Sequence, residues 1–532
     1  MWLNANSKEL QWFLESATVY WEKNLPRPAD DAVVVVEAFH QDIRVNLRNL
    51  AFANAIRRLH PARMVVLTGV EDAWMNTLWS GFDVGIVRKV SEAFAASEVI
   101  DVWDRVRGGE TGTPIDEETL VAYTDATYCR LAKVPSLPAG HAARPDYQQR
   151  RQYATRLSGF YEELMRRNVV ALVTSHVDYD QWGLAVESAR RARIPIIHTQ
   201  QTGCLKAYGL YPETDTGTGT FREELTRQIG EVFETQVWPK QEELRPSAEL
   251  VAWRAKVNLG RPSWWRGGVT ASVDLNNPAE RARLRTHVVD RLGFDPARPI
   301  VTVFNHAVSD ALGTNRELFP SLADWFADTA AHAAENTDAQ WLFLDHPSQA
   351  LYDSTGFFDS VAAKHKRVKH MAFRPSATLS KNALWSLTDL GVTVRGSVSN
   401  ELPAYGIPVI QAGWSEWSSC GLSTVVEDQD AYWKTLEQSI AAIRDGVELV
   451  SEEQVRRARL WLWLYRSGTD VVTPNVPQWE VWPADTLLKT MRATFRHIEA
   501  DADPLFSSVR RMWTRKEPML TRTDFRTLGT DA

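Results

Sequence analysis

The sequence predicts an α/β protein of two doubly wound, Rossmann-like domains facing a cleft, and three observations carry that expectation. Two series of apolar, β-branched runs alternate with helix-period segments, one before residue 212 and one after residue 297. Such alternation marks a parallel sheet covered by helices on both faces. The chain has 532 residues, too many for one core on a scale of about 100–200 residues per domain. Its 44% hydrophobic and 24% charged residues are those of a folded globular chain.

The first series begins at Val33-Val34-Val35-Val36-Glu37, an all-apolar run of the kind buried on both faces of a parallel sheet. A polar loop at 38–44 follows it. Segment 45–58 then spaces Val45, Leu47, Leu50, Ala51, Ala55 and Ile56 as a helix face, and Met64-Val65-Val66-Leu67 completes a βαβ unit. Further strands are expected at 169–174 and 194–197 around a helix at 181–191. Residues 75–150, with the turn-rich Gly108-Gly109-Glu110-Thr111-Gly112-Thr113-Pro114, are expected to be an insertion. Residues 212–297 are expected to connect the domains; they hold Thr216-Gly217-Thr218-Gly219, a charged helix at 221–244 and Ser263-Trp264-Trp265-Arg266-Gly267-Gly268. An N-terminal domain of 1–297 results.

The second series starts at Ile300-Val301-Thr302-Val303-Phe304 and continues through a helix at 320–335 to Trp341-Leu342-Phe343-Leu344. Helices at 359–365 and 376–387, strands at 368–373 and 390–394, a helix from 398 and the strand Pro408-Val409-Ile410 complete a domain of 298–475. Residues 476–532 form a tail expected to pack back on the first domain.

A net charge of −7 and a pI near 6.0 exclude the basic excess of a nucleic-acid protein. Three scattered cysteines, Cys129, Cys204 and Cys420, fit neither a disulfide framework nor a metal site. The N-terminal 24 residues form a charged amphipathic helix pattern rather than a signal peptide, so a cytoplasmic address is expected. Most of the 22 tryptophans are expected in the core.

In open sheets of this kind ligands lie beyond the carboxyl ends of the strands. Three polar loops stand there in the second series: Asn305-His306-Ala307-Val308-Ser309-Asp310, Asp345-His346-Pro347-Ser348, and Arg395-Gly396-Ser397-Val398-Ser399-Asn400-Glu401. Arg395-Gly396-Ser397 opens a helix pattern, where glycine admits a phosphate close to the backbone and the helix start supplies N–H donors. The alternative is a plain strand-to-helix turn capped by Ser397. His346, held by Pro347, suits donation to a phosphate oxygen, and Glu401 suits ribose hydroxyls or the helix dipole. His306 and Asp310 lie one helical turn apart and suit acid–base work or capping.

At these residues the chain resembles bacterial capsule and surface-polysaccharide glycosyltransferases of the GT-B class. The resemblance rests on Ile300 to His306 with Asp310, on Leu344-Asp345-His346-Pro347, and on Gly391-Val392-Thr393-Val394-Arg395-Gly396-Ser397 with Glu401 and Gly406-Ile407-Pro408; it spans 298–425. It implies that His346 and Pro347 contact the donor phosphate, and that Gly396, Ser397 and Glu401 hold the nucleotide. Arg395 and Asp345 depart from the pattern of these relatives, which leaves cytidine, uridine and guanosine donors open.

The implied activity is sugar transfer from a nucleotide-sugar to a saccharide or lipid-linked saccharide in surface or capsular polysaccharide synthesis, with no further cofactor. A sugar-nucleotide 2-epimerase and a non-catalytic carbohydrate-binding protein are the alternatives. The acceptor side is the N-terminal domain, where His40, Asp42, Asp178 and His198 follow candidate strands and suit activation of a hydroxyl. No Asp-X-Asp string directly follows a candidate strand of the second series, so a metal-independent reaction is expected. Arg510, Arg511, Arg515 and Lys516 beside Trp513 add the expectation of peripheral contact with an anionic membrane face.

Overall fold

The computed structural model describes residues 4–29, 31–71, 74, 83–109, 112–200, 204–253, 275, 277–312, 316–476 and 484–529. The turn residues Glu110 and Thr111 and the segment 263–268 lie outside the described residues. Both expected doubly wound domains are present. The first sheet contains β1 (Ala32–Glu37), β2 (Arg63–Thr68), β3 (Glu98–Asp101), β4 (Asn168–Thr174), β5 (Ile196–Thr199) and β6 (Ala207–Leu210), in the order β3-β2-β1-β4-β5-β6. All neighbours pair in parallel except β5 with β6.

The second sheet contains β7 (Ile300–Phe304), β8 (Gln340–Leu344), β9 (Met371–Arg374), β10 (Leu390–Thr393), β11 (Val409–Gln411) and β12 (Thr424–Val425), in the order β12-β11-β10-β7-β8-β9. Counted within each domain, both orders are 3-2-1-4-5-6, the Rossmann arrangement. The direction of winding therefore reverses between β1 and β4 in one domain and between β7 and β10 in the other. Alternate residues of the second sheet bury on opposite faces, Val301, Val303, Trp341 and Phe343 on one and Ile300, Leu342, Leu344 and Val409 on the other. That two-sided burial is why the strands read as continuous apolar runs.

The segment expected as an insertion is part of the first domain. Its strand β3 pairs with β2 from Glu98 opposite Val65 to Asp101 opposite Thr68. Its helix Pro145–Leu164 packs on the helix Asp180–Arg191, where the Tyr161 hydroxyl donates to the Gln181 carbonyl at 2.8 Å. The charged helix expected at 221–244 is divided into Phe221–Val232, a π turn Phe233–Val237, a short 3₁₀ turn and Gln241–Trp253. The helix Pro278–Leu292 buries Val288 and Val289 in the second core, so that domain begins before 298.

Beyond the helix Glu452–Trp463 the chain returns to the first domain. Val471 bridges Leu205, and the fully buried Lys206 ammonium meets Asp470 at 3.0 Å. The helix Ala484–His497 lies against the helix Lys8–Asn24, with Phe495 centred 5.0 Å from Tyr20. The tail that carries the expected basic patch is the helix Pro504–Arg515, and Trp513 is buried with its indole N–H donating to His60 at 2.6 Å. Arg511 meets Glu517 at 3.2 Å, Arg515 meets Asp524 at 2.7 Å and Lys516 meets Glu213 at 3.5 Å. Three of the four cations invoked for membrane contact are thus paired within the chain. Among the described residues no helix is long and apolar enough to cross a membrane.

Candidate functional site

The carboxyl ends of the two sheets face each other, and their loops meet. From the first domain, Asp178 forms a bidentate ion pair with Arg222, its shorter contact being 2.5 Å, and stands 3.7 Å from Arg316 of the second domain. Arg222 also reaches Glu416 of the second domain at 2.9 Å. Tyr179 donates its hydroxyl to Asp310 Oδ1 at 2.8 Å and accepts the Ala311 N–H at 3.0 Å. Arg130 donates to the Leu351 carbonyl at 2.7 Å and stacks 3.8 Å over Tyr352.

Several expected acceptor-side groups are already engaged. Asp42 caps the helix Ile43–Arg57 and pairs with Arg44, which with its other hydrogen bonds outweighs burial and keeps its carboxyl below the usual range. Asp178 likewise stays ionised: burial opposes its charge, and Arg222 and Arg316 outweigh burial. Both carboxylates are committed to arginine partners. His198 is 5% exposed, and burial lowers its pKa to about 3, so it is a neutral core imidazole. Burial also lowers His40, to about 4.

One residue of this edge, His176, was not among the expected acceptor-side groups. His176 follows β4, keeps 31% of its side chain accessible and packs 5.0 Å from Trp182 and 5.4 Å from Tyr179. A shared local device offered a signal: in three strand-end loops a histidine Nδ1 accepts the backbone N–H two residues on. These are His40 from Asp42 at 2.9 Å, His176 from Asp178 at 3.2 Å and His346 from Ser348 at 3.1 Å. The accepting Nδ1 assigns the proton of each neutral ring to Nε2, making these rings donors rather than bases. The 3.7 Å approach of His176 Nδ1 to Asp178 is therefore no ion pair at neutral pH, in keeping with a pKa lowered chiefly by burial.

In the second domain His306 and His346 lie with ring centres 5.8 Å apart and planes 22° from parallel. Residues 305–310 are not helical; a turn, with Asp310 N–H on the Ala307 carbonyl at 2.9 Å, keeps His306 and Asp310 in one cluster. Arg395 is 5% exposed and pairs with Glu317 at 2.7 Å. It donates to the Asp310 carbonyl and, at 3.4 Å, to His306 Nε2. The guanidinium expected on a phosphate is thus committed to ordering this loop, and its bond assigns the His306 proton to Nδ1. Burial first and Arg395 second hold the His306 pKa well below its ordinary value.

His306 Nδ1 and the side-chain amide nitrogens of Asn305 and Asn400 are buried and have no hydrogen-bond partner among the described residues. Asn305 and Asn400 are 7% and 2% exposed. Buried donors left unpaired cost about 1–3 kcal/mol each; Asn305 and His306 directly follow β7, and Asn400 lies in the turn Val398–Glu401 beyond β10. Asp310 is held below the usual carboxylate range: burial raises it, and the Arg395 guanidinium and the Tyr179 hydroxyl outweigh burial. Its Oδ2 accepts no hydrogen bond from the described residues.

The loop after β10 differs from the helix start expected there. Val398–Glu401 is a single turn followed by the 3₁₀ turn Leu402–Tyr405, and Ser397 makes no capping bond. Gly396 donates its N–H to Thr393 Oγ1 at 3.2 Å, and Ser399 links the Gly396 carbonyl to Trp417. Glu401 pairs with Lys381 at 2.7 Å and with Arg466 at 3.6 Å, and Ser397 donates to it at 3.3 Å. Pro347 follows His346 in the loop after β8. Among the described residues no group of three His, Cys, Asp or Glu is placed to hold a metal ion. A groove of about 370 Å³ lies apart from these loops, between the helices Gln241–Trp253 and Glu452–Trp463, and none of the strand-end residues lines it.

No family model matches the chain, and no curated protein matches it in sequence. Solved structures of similar fold include a glycosyltransferase from Rickettsia africae, 10% identical over 90% of this chain and 98% of that one, with a TM-score of 0.29. KpsC of Thermosulfurimonas dismutans, a beta Kdo 2,4 transferase, is 13% identical over 55% and 79%, with a TM-score of 0.29. MnaA of S. aureus, solved with UDP, is 10% identical over 81% and 90%, with a TM-score of 0.26. Likenesses this distant carry no weight for function, which has to be read from the site.

Proposed function

We propose that this protein is a glycosyltransferase that binds a nucleotide-sugar at the β7 and β10 ends and transfers its sugar to a saccharide hydroxyl presented from the N-terminal domain. The observation that carries this reading is the pair of unpaired buried donors, Asn305 Nδ2 and His306 Nδ1, at the point where the strand order reverses. Anionic oxygens satisfy such donors, and donors already fixed in place stabilise charge on a departing phosphate without reorganising. The His346 ring lies beside them, its centre 5.8 Å from that of His306.

In the reaction the acceptor oxygen bonds to the anomeric carbon and the bond from that carbon to the phosphate oxygen breaks, its electron pair leaving with the phosphate. The acceptor proton passes to Asp310 Oδ2. Leaving-group charge is met by neutral imidazoles and amides, which makes the transfer metal-independent in this reading. A surface or capsular polysaccharide, free or lipid-linked, is the proposed acceptor, on the strength of the strand-end motifs.

A thermal-shift screen of cytidine, uridine, guanosine and thymidine nucleotides tests the binding half, because a ligand at 100 times its Kd stabilises by about 2.7 kcal/mol. One nucleotide series is expected to raise Tm, and no response to any would remove the reading. Incubation with a labelled nucleotide-sugar alone distinguishes the epimerase, which returns altered nucleotide-sugar without an acceptor.

A further inference from the structure

Tyr179 is the residue through which the first domain touches the proposed base of the second. Its backbone has φ 63° and ψ 161°, a region that side-chain-bearing residues occupy only when their surroundings hold them there. It precedes the helix Asp180–Arg191 without capping it. The ring instead crosses to the other domain, packed 5.5 Å from Trp74 and 5.4 Å from His176 and only 4% exposed. Ala311, whose N–H bonds the phenol oxygen, also has a positive φ of 46°. Strained backbone thus stands on both sides of a single contact between domains. Burial and Asp310 hold the phenol pKa well above its ordinary value, so the hydroxyl remains a donor at neutral pH.

We infer that Tyr179 is a positioning residue: by fixing Asp310 Oδ1 from the opposite domain, it presents Oδ2 to the acceptor hydroxyl only when the cleft is closed. This rests on the reading of Asp310 as the proton acceptor. Both bonds of the phenol run to the other domain, so any separation of the domains would break them together.

The test is Tyr179→Phe in the full chain, which keeps the ring contacts and removes the hydroxyl. With the nucleotide-sugar found by the screen, kcat is expected to fall about 10- to 100-fold, the loss of a hydrogen bond to a charged group. KM for the donor is expected to stay within about twofold, since no donor contact is removed. The acid limb of the pH profile should move to higher pH, because the bond that favours the ionised carboxyl is gone. Asp310→Asn and the double variant are measured alongside. If the phenol acts through Asp310, the double variant is no slower than Asp310→Asn alone; independent, multiplying losses would overturn the inference. Wild-type rate and acid limb in Tyr179→Phe, with Asp310→Asn inactive, would overturn it and leave the base reading standing. An active Asp310→Asn would remove the base and with it the role of Tyr179.

Discussion

In the N-terminal sheet the crevice between β1 and β4 is closed by a carboxylate, whereas the equivalent crevice between β7 and β10 ends in an apolar ring and an unpaired amide. Glu37, the last residue of β1, accepts from Ser175 N–H at 2.8 Å, Ser175 Oγ at 2.6 Å, Phe39 N–H at 2.6 Å and Asn49 Nδ2 at 3.2 Å. The last residue of β7 is Phe304, which has no acceptor in its side chain; its carbonyl takes a bond from Thr393 Oγ1 at 3.2 Å. The next residue, Asn305, uses its oxygen on the His306 N–H at 2.9 Å and leaves its nitrogen unpaired. One strand order therefore carries two arrangements: at β1 and β4 the carboxylate of Glu37 is saturated by its neighbours, and at β7 and β10 donors stay unpaired, the place proposed for an anion.

The largest expected effect that sharpens this contrast is on rate. His306→Ala should depress transfer about 10²–10³-fold, the usual loss for a donor acting on developing charge, with little change in the urea midpoint. Glu37→Gln should do the reverse. It replaces one of the two acceptor oxygens by an amide donor, so either Phe39 or Ser175 and Asn49 lose their acceptor, and stability is expected to fall by about 2–4 kcal/mol in urea unfolding. Nucleotide affinity of the folded fraction should stay near wild type. If the two variants exchanged phenotypes, the assignment of the crevices would be reversed.

Asn305→Ala gives a smaller and sharper test. Because the substitution also removes the acceptor of the His306 N–H, ligand-free stability is expected to fall by no more than about 1–3 kcal/mol, while nucleotide affinity falls about tenfold, measured by calorimetry. A large loss of ligand-free stability would mean that the amide serves the fold.

The smallest effect concerns His198, the neutral imidazole of the closed half. Its folded pKa of about 3 lies below the unfolded value of about 6.5. Between these values only the unfolded chain takes the proton, so stability present above pH 6.5 declines on acidification, at up to about 1.4 kcal/mol per pH unit. Tm is expected to fall from pH 7 to pH 5, and His198→Leu should flatten that slope. An unchanged slope would place the acid sensitivity elsewhere.

Much of the architecture was legible locally. Val33 to Val36 and Val301 to Phe304 are buried on both faces, and such strands announce themselves as apolar runs. The short strand β3, with Glu98 exposed and Val99, Ile100 and Asp101 half-buried, carries no such run, and β12 is two exposed residues, so neither was visible. For the site, the loops after β4, β7, β8 and β10 were identifiable because polar residues follow apolar strands. Which of their residues remain available was not identifiable, since that depends on partners such as Glu317 for Arg395 or Lys381 for Glu401, which lie far away or across a loop.

Short-range pattern was sufficient for the two doubly wound sheets and for the edge at which chemistry would lie, because strand and helix periods are set by neighbours a few residues apart. The order of strands at the edges of the sheets, the return of the C-terminal helices to the first domain and the pairing of Tyr179 with Asp310 across 131 positions depended on long-range contacts. A buried polar group is satisfied by whatever the fold brings to it, and that neighbour has no fixed distance along the chain. For that reason the same residue types, histidine and aspartate after a strand, became a buried imidazole at His198, an arginine-paired carboxylate at Asp178 and, at His306 and Asp310, a cluster joined to the other domain through Tyr179.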